Sequence, residues 1–213
     1  MRLIPLVLAC AAPDDDSAPV DAGESAAPVD TADTGETGDP GDTADTGESV
    51  PGIDCRDPVV VHRDGAGIDT DLTEVFLTGT YTTLDTAGTL YVCPRTWYAR
   101  LLVRAPMVVV GLGDDPASTV LSGGESGTIL DVAGPDGAVD VQNLTLDRGA
   151  GLDVDHNSGG GGVYCEAYGA VSTTDVVFSN NFANDGAGLY VEGCEVSLLR
   201  TTFVDNVSED DGG

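Results

Sequence analysis

The feature that most limits how this chain can fold is an internal repeat near its C-terminal end. Gly162-Val-Tyr164 returns as Gly188-Leu-Tyr190, Val171 as Val196, Phe178 as Phe203, Asn181 as Asn206 and Gly188 as Gly213. The offset is 25 or 26 throughout, and in both copies the Val stands seven residues before the Phe. Val139 and Leu146 keep the same separation 32 residues upstream of Val171 and Phe178. The extra length of that copy falls in the glycine-rich stretch from Gly149 to Gly162, which is expected to loop out. Repetition at a fixed period marks units that cannot bury an apolar face alone and must stack on their neighbours.

The composition of each unit says how it stacks. From Cys55 onward, short apolar clusters alternate with Gly, Asn and Asp: Val59-Val-Val61, Val75-Phe-Leu77, Thr89-Leu-Tyr-Val92, Leu101-Leu-Val103, Met107-Val-Val-Val110, Thr119-Val-Leu121 and Thr128-Ile-Leu130. Each reads as a strand of three to five residues, and many such strands with glycine-rich turns exclude a helical bundle. A period near 25 with about three short strands fits one rung of a parallel β-helix, whose rungs stack at the ~4.8 Å spacing of any sheet. Like residues then lie over like. Val171 over Val196 and Phe178 over Phe203 are expected as interior apolar ladders, and Asn181 over Asn206 as an amide ladder at a turn. Leucine-rich repeats have a similar period, but their pattern of leucines is missing.

The phrases Phe178-Ser-Asn-Asn181, Gly186-Ala-Gly188-Leu-Tyr190 and Thr201-Thr-Phe203-Val-Asp-Asn206 resemble the FxxN and GGAI repeats of polymorphic outer membrane proteins. They also resemble the wider group with the pectate-lyase-like fold. The resemblance covers roughly residues 88 to 213 and implies a right-handed parallel β-helix, a solenoid of few rungs in an all-β protein. It implies little about activity, because this fold hosts lyases, hydrolases, adhesins and spacers. Polymorphic outer membrane proteins end in a membrane β-barrel, and residues 1–213 are not expected to form one.

The first ten residues follow a different logic. Met1-Arg2 gives a positive start, Leu3 to Ala9 an apolar run, and Cys10 ends it. Val7-Leu8-Ala9-Cys10 resembles the lipobox of bacterial lipoproteins, which implies a signal over 1–9 and lipidation of Cys10. Two or more acyl chains anchor stably, at ~0.8 kcal/mol per buried CH₂, so such a protein sits on a membrane without a spanning helix. By the same resemblance, Ala11 is compatible with sorting to the outer membrane. Residues 10–52 are an acidic, low-complexity stretch that holds no aromatic and no Leu, Arg or Lys. Asp30-Thr-Ala-Asp-Thr-Gly-Glu36 recurs as Asp42-Thr-Ala-Asp-Thr-Gly-Glu48 but offers nothing apolar to bury. It is expected to be a disordered, self-repelling tether. Residues 53–213 form the β-helix domain, with 53–106 as its N-terminal cap and first strands. The chain stops at Asp210-Asp-Gly-Gly213, where another rung should begin. The expectation is a domain incomplete at that end, or a short one capped by a partner.

Besides Cys10 the chain has Cys55, Cys93, Cys165 and Cys194. An even remainder in an exported chain reads as two disulfides, and nearness in sequence and repeat favours Cys55 with Cys93 and Cys165 with Cys194. Zinc is a poor alternative, since no CxxC pair occurs. The net charge is −29, and all eight basic residues are Arg, which sets nucleic acid and anionic lipid surfaces aside as partners. Calcium is a weak expectation, because the EF-hand pattern is absent. No catalytic site is assigned. A lyase-like site would draw on Asp147, Asp153, Asp155, Asp175, Asp205, Arg148 and Arg200, with His156 nearby, but Asp175 and Arg200 fall in adjacent rungs as a surface ion pair does. The reading is a lipid-anchored protein of the cell envelope, at the outer membrane or cell surface, that adheres to or recognises a glycan or a cell-surface protein. A polysaccharide lyase or hydrolase and a passive spacer are the alternatives.

Overall fold

The computed structural model describes residues 50–151, 159–166 and 168–212. Cys10, nearly all of the acidic stretch, Asp153, Asp155 and His156 lie outside the described residues. What is described is mostly strand. The described chain opens with β1 (Val60–Asp64) and β2 (Asp69–Asp71), then a short helix of six residues, α1 (Thr73–Thr78). There follow β3 (Thr82–Leu84), β4 (Gly88–Val92), β5 (Arg95–Tyr98), β6 (Leu101–Val103), β7 (Met107–Gly111), β8 (Thr119–Ser122) and β9 (Leu130–Ala133). The last group is β10 (Ala138–Asp147), β11 (Ala150–Gly151), β12 (Val163–Glu166), β13 (Ala170–Ser179), β14 (Phe182–Asp185), β15 (Leu189–Glu192), β16 (Glu195–Val204) and β17 (Val207–Asp211).

The strands form three sheets. One runs β16-β13-β10-β7-β4-β1-β2, with β8 beside β10 and β5 beside β8. The others run β11-β14-β17 and β15-β12-β9-β6-β3. All pairs from β4 onward that join successive passages are parallel, and from β10 the chain leaves the large sheet, visits the two others in turn and returns one strand further along; the earlier passages visit only the five-stranded sheet. The first two strands break the pattern: β1 pairs antiparallel with both β2 and β4, and β2 is the edge strand at that end of the large sheet.

The register explains the repeat. Val139, Val171 and Val196 stand side by side, as do Leu146, Phe178 and Phe203. Asn181 bonds to Asn206, 25 residues on, and Ser179 to Asp147, 32 residues back. One continuous core lies between the sheets and contains Leu90, Val109, Val141, Leu121, Leu146, Phe178, Leu130 and Val163. The recurring glycines are also explained. A Cβ on Gly162 would stand 2.8 Å from Phe178 Cδ1, and one on Gly188 2.9 Å from Phe203 Cδ1, so each glycine makes room for a ring of the adjoining strand.

The ten-residue strands β10, β13 and β16 are each bent once. Asn143, Asp175 and Arg200 take left-handed backbone angles (φ 51, 55 and 48°) at equivalent places, and the register skips there. A second column of left-handed residues, Arg148, Asn180 and Asp205, ends the same strands. Such angles are uncommon outside glycine, and Asn and Asp tolerate them best. Each column is a corner that redirects the chain.

Two expectations need correction. Val75-Phe-Leu77 is not a strand but part of α1, with Phe76 buried against the core. Three consecutive apolar residues carry no period. The carboxylate of Asp71 accepts the Thr73 N–H, and Gly79 closes the turn at φ 65°; these local bonds decide the matter. Val196 and Phe203 belong to the interior columns but are 43% and 45% exposed, because among the described residues no strand pairs with the outer edge of β16.

Candidate functional site

Inward residues of this fold are fixed by packing, so a ligand must be met by the outward ones. On the half of the large sheet built by β5, β8 and the second halves of β10 and β13, two outward columns run across the strands. One is Thr96, Val120, Thr145 and Val177; the other is Tyr98, Ser122, Asp147 and Ser179. Together with Glu125 and Arg148, these columns, Val177 excepted, line most of a concave groove of about 670 Å³. Thr145 is buried and donates to Pro116 O at 2.8 Å, which ties the flanking loop to the floor.

The polar groups of the groove are held in place. Asp147 accepts hydrogen bonds from Ser179 Oγ and Asn180 Nδ2, both at 2.8 Å. Arg148 Nε stands 3.6 Å from Asp147 Oδ2, and most of its side chain remains in solvent. Tyr98 is half exposed, while its neighbour Trp97 is buried on the other face and donates to Cys93 O at 2.9 Å. An exposed aromatic face beside fixed hydroxyl, carboxylate and guanidinium groups suits a ligand with apolar and hydroxylated faces, of which a sugar is the common case.

Asp147 and Arg148, both considered for lyase chemistry, fall in this groove. Asp175 and Arg200 do not. They form a two-pronged ion pair at 2.6 and 2.7 Å on the neighbouring corner, and the guanidinium holds the Asp175 carboxyl below its usual range. Asp205 sits on the other corner column. Among the described residues no group of three or more His, Cys, Asp or Glu is placed to hold a metal. Tyr98 and Glu125 escaped the sequence reading. The signal for Tyr98 was the alternation of β5, in which the residue after an inward Trp must face out.

The cysteines lie elsewhere. Cys55 is joined to Cys93, with Cα atoms 5.3 Å apart, and Cys165 to Cys194 at 6.3 Å. The first bond ties the segment before β1 to the end of β4; the second ties β12 to the turn after β15. On the five-stranded sheet Tyr164 of β12 and Tyr190 of β15 stack with centroids 5.3 Å apart, and each donates to a glutamate two residues on, Glu166 and Glu192.

The family described as Chlamydia polymorphic membrane protein (Chlamydia_PMP) repeat matches residues 175–192. That stretch runs from the Asp175 corner through Phe178 and Asn181 to the end of β15. Comparison with curated proteins and with solved structures finds no match.

Proposed function

We propose that the chain is a surface protein of the cell envelope, built as a right-handed parallel β-helix, that recognises a glycan through the Tyr98 groove. Three parallel sheets visited in turn, with a register that follows the sequence repeat, support the β-helix. The polymorphic-membrane-protein repeat over residues 175–192 supports an envelope location, since that family is associated with the outer membrane and surface. Lipidation of Cys10 would fix it there, with the acidic stretch of 10–52 as a tether and 53–213 as the presented domain.

The observation that carries the reading is the groove itself, an aromatic ring and fixed polar groups along one outward face. The test is a glycan array probed with the full chain and with Tyr98→Ala. Retained glycans that the variant loses by tenfold or more support recognition. Equal retention by both proteins overturns the role of the groove. Asp147 and Arg148 keep a lyase or hydrolase reading open, and product formation from a retained glycan, lost in Asp147→Asn, would replace binding by catalysis. Incorporation of labelled palmitate, abolished in Cys10→Ser, tests the anchor.

A further inference from the structure

The Cys55–Cys93 bond closes a run of 38 residues that holds β1, β2, α1, β3 and β4. Its two ends stand at different stations of the fold. Cys55 lies just ahead of β1, where the N-terminal segment joins the domain. Cys93 directly follows β4 and is fully buried. Two residues further on begins β5, which supplies Thr96 and Tyr98 to the groove. Trp97 of β5 is buried, and its Nε1 donates to Cys93 O at 2.9 Å, so β5 and the bond are held together.

This placement decides how a pull on the N-terminal segment reaches the groove. Without the bond, tension enters through Val59 and Val60. The ties at that end are single hydrogen bonds: Cys93 N–H to Val59 O at 3.1 Å, Leu72 N–H to Val60 O at 2.8 Å, and Arg63 Nη2 to Pro51 O at 3.0 Å. Beyond them β1 pairs antiparallel with β4, with Val60 opposite Val92. The hydrogen bonds of such a ladder are spaced along it, so a pulled end can open it one pair at a time. With the bond, tension passes from Cys55 to Cys93 and straight into β5, and the five elements between them carry none of it. We propose that the Cys55–Cys93 bond is a mechanical strap, which passes tension between the N-terminal segment and the groove and keeps β1 to β4 out of its line. The proposal rests on the reading of residues 10–52 as a tether and of the groove as the place where a ligand pulls.

The test stretches single molecules of the full chain by handles at its two ends, with both disulfides intact, and compares them with the Cys55→Ser, Cys93→Ser variant. The variant should show an early event, at lower force than the unfolding of the rest. That event should lengthen the molecule by about 125–137 Å, the span of 38 residues at ~3.3–3.6 Å each. Cys165→Ser, Cys194→Ser is the comparison for a bond that only stabilises. Its closure of 29 residues frees roughly 96–104 Å, and its loss should add no early event of the longer length. No early event in the Cys55→Ser, Cys93→Ser variant overturns the proposal, because β1 to β4 then withstand tension without the bond. An early event of the longer length in the intact chain overturns it as well. If the variant fails to fold, intact molecules are held below the force that unfolds them, and a thiol reductant is added at a concentration that alkylation in bulk shows to open the bond. A step of the longer length supports the proposal, and an unchanged length overturns it. None of these outcomes depends on Cys10 or on a ligand, so they are separate from the palmitate and array tests of the reading beneath.

Discussion

Replacing Asn181 by Leu tests whether the amide ladder, and not only the apolar columns, holds successive passages of the chain together. Asn181 is 1% exposed. Its Oδ1 accepts the Gly149 N–H at 2.8 Å, and its Nδ2 donates to Leu146 O at 3.0 Å and to Asn206 Oδ1 at 2.9 Å. Leu has the same branched side-chain skeleton as Asn, with bulkier methyl ends, but none of this hydrogen-bonding capacity. It leaves the Gly149 N–H without its acceptor, at ~1–3 kcal/mol, and removes two further bonds at ~0.5–1.5 kcal/mol each. A loss of about 3–4 kcal/mol follows, a large part of the ~5–15 kcal/mol that a domain holds. With a urea m-value of ~2 kcal/mol/M, the midpoint should fall by ~1.5–2 M. Asn206→Leu is the control. It removes bonds to Asn181 and Phe178 O as well, but Asn206 is only half-buried and water can replace the amide, so the loss should be ~1 kcal/mol. Hydrogen exchange gives the local readout, since the Gly149 amide should lose protection in Asn181→Leu and keep it in Asn206→Leu. A midpoint within ~0.3 M of wild type for Asn181→Leu, with Gly149 still protected, would refute the reasoning.

The remaining predictions use the same columns. Phe178→Ala should cost ~3–5 kcal/mol by denaturant unfolding, whereas Phe203→Ala, stacked on it at 4.6 Å but half exposed, should cost less than half of that. Equal losses would mean that β16 is covered in solution. The paired change Cys165→Ser, Cys194→Ser opens a closure of 29 residues and should destabilise by ~3–4 kcal/mol, read against the reduced wild type as control. Asp131 of β9, the register partner of Tyr164 on β12, has its carboxyl pushed above its ordinary value of 3.8, chiefly by burial, with Arg104 opposing and Glu166 adding to the rise. A raised folded-state value means that its favourable contribution is complete below 3.8 and is lost as pH rises through the folded value. Asp131→Asn should therefore be more stable than wild type at pH 7, with the difference shrinking toward pH 4. A variant less stable than wild type at neutral pH would show that the charge is compensated.

The parts of this fold legible in the sequence are those in which stacking forces identity. Phe178 and Phe203 must both be large, apolar and opposite a glycine, because each occupies the same place in its passage. Asn181 and Asn206 must both be amides, because each bonds to the passage beside it. Earlier passages were harder to read. There the ten-residue strand is divided into β7 and β8, or β4 and β5, and the equivalent residues lie at other spacings. The helix α1 was illegible for another reason: what makes it helical is two local contacts, at Asp71 and Gly79, not a pattern along the chain. The groove was legible only in part. Asp147 and Arg148 drew attention as charged residues near the repeat, but nothing in spacing alone joins them to Tyr98, which reaches them through two intervening strand pairings.

That difference has a physical basis that bears on where function resides. An inward side chain touches its equivalents in the strands on either side, so a change at one place is felt by both neighbours and the column resists variation. An outward side chain meets water and is released from that constraint. The left-handed corners separate the two regimes: Asp175 and Arg200 on one column, Asn180 and Asp205 on the other, turn the chain without entering the core. Tyr98, Ser122 and Asp147 can therefore differ in chemistry although they occupy equivalent outward positions, and that difference makes a binding surface from a repeat. The same logic predicts which substitutions separate recognition from folding. Tyr98→Ala, half exposed on the outward face, should change ligand binding with little effect on stability. Trp97→Ala, one residue away and buried on the inward face, should cost ~3–5 kcal/mol whether or not a ligand is present. If Tyr98→Ala destabilised the chain as much as Trp97→Ala, the outward face would be a structural element and the groove would lose its standing as a site.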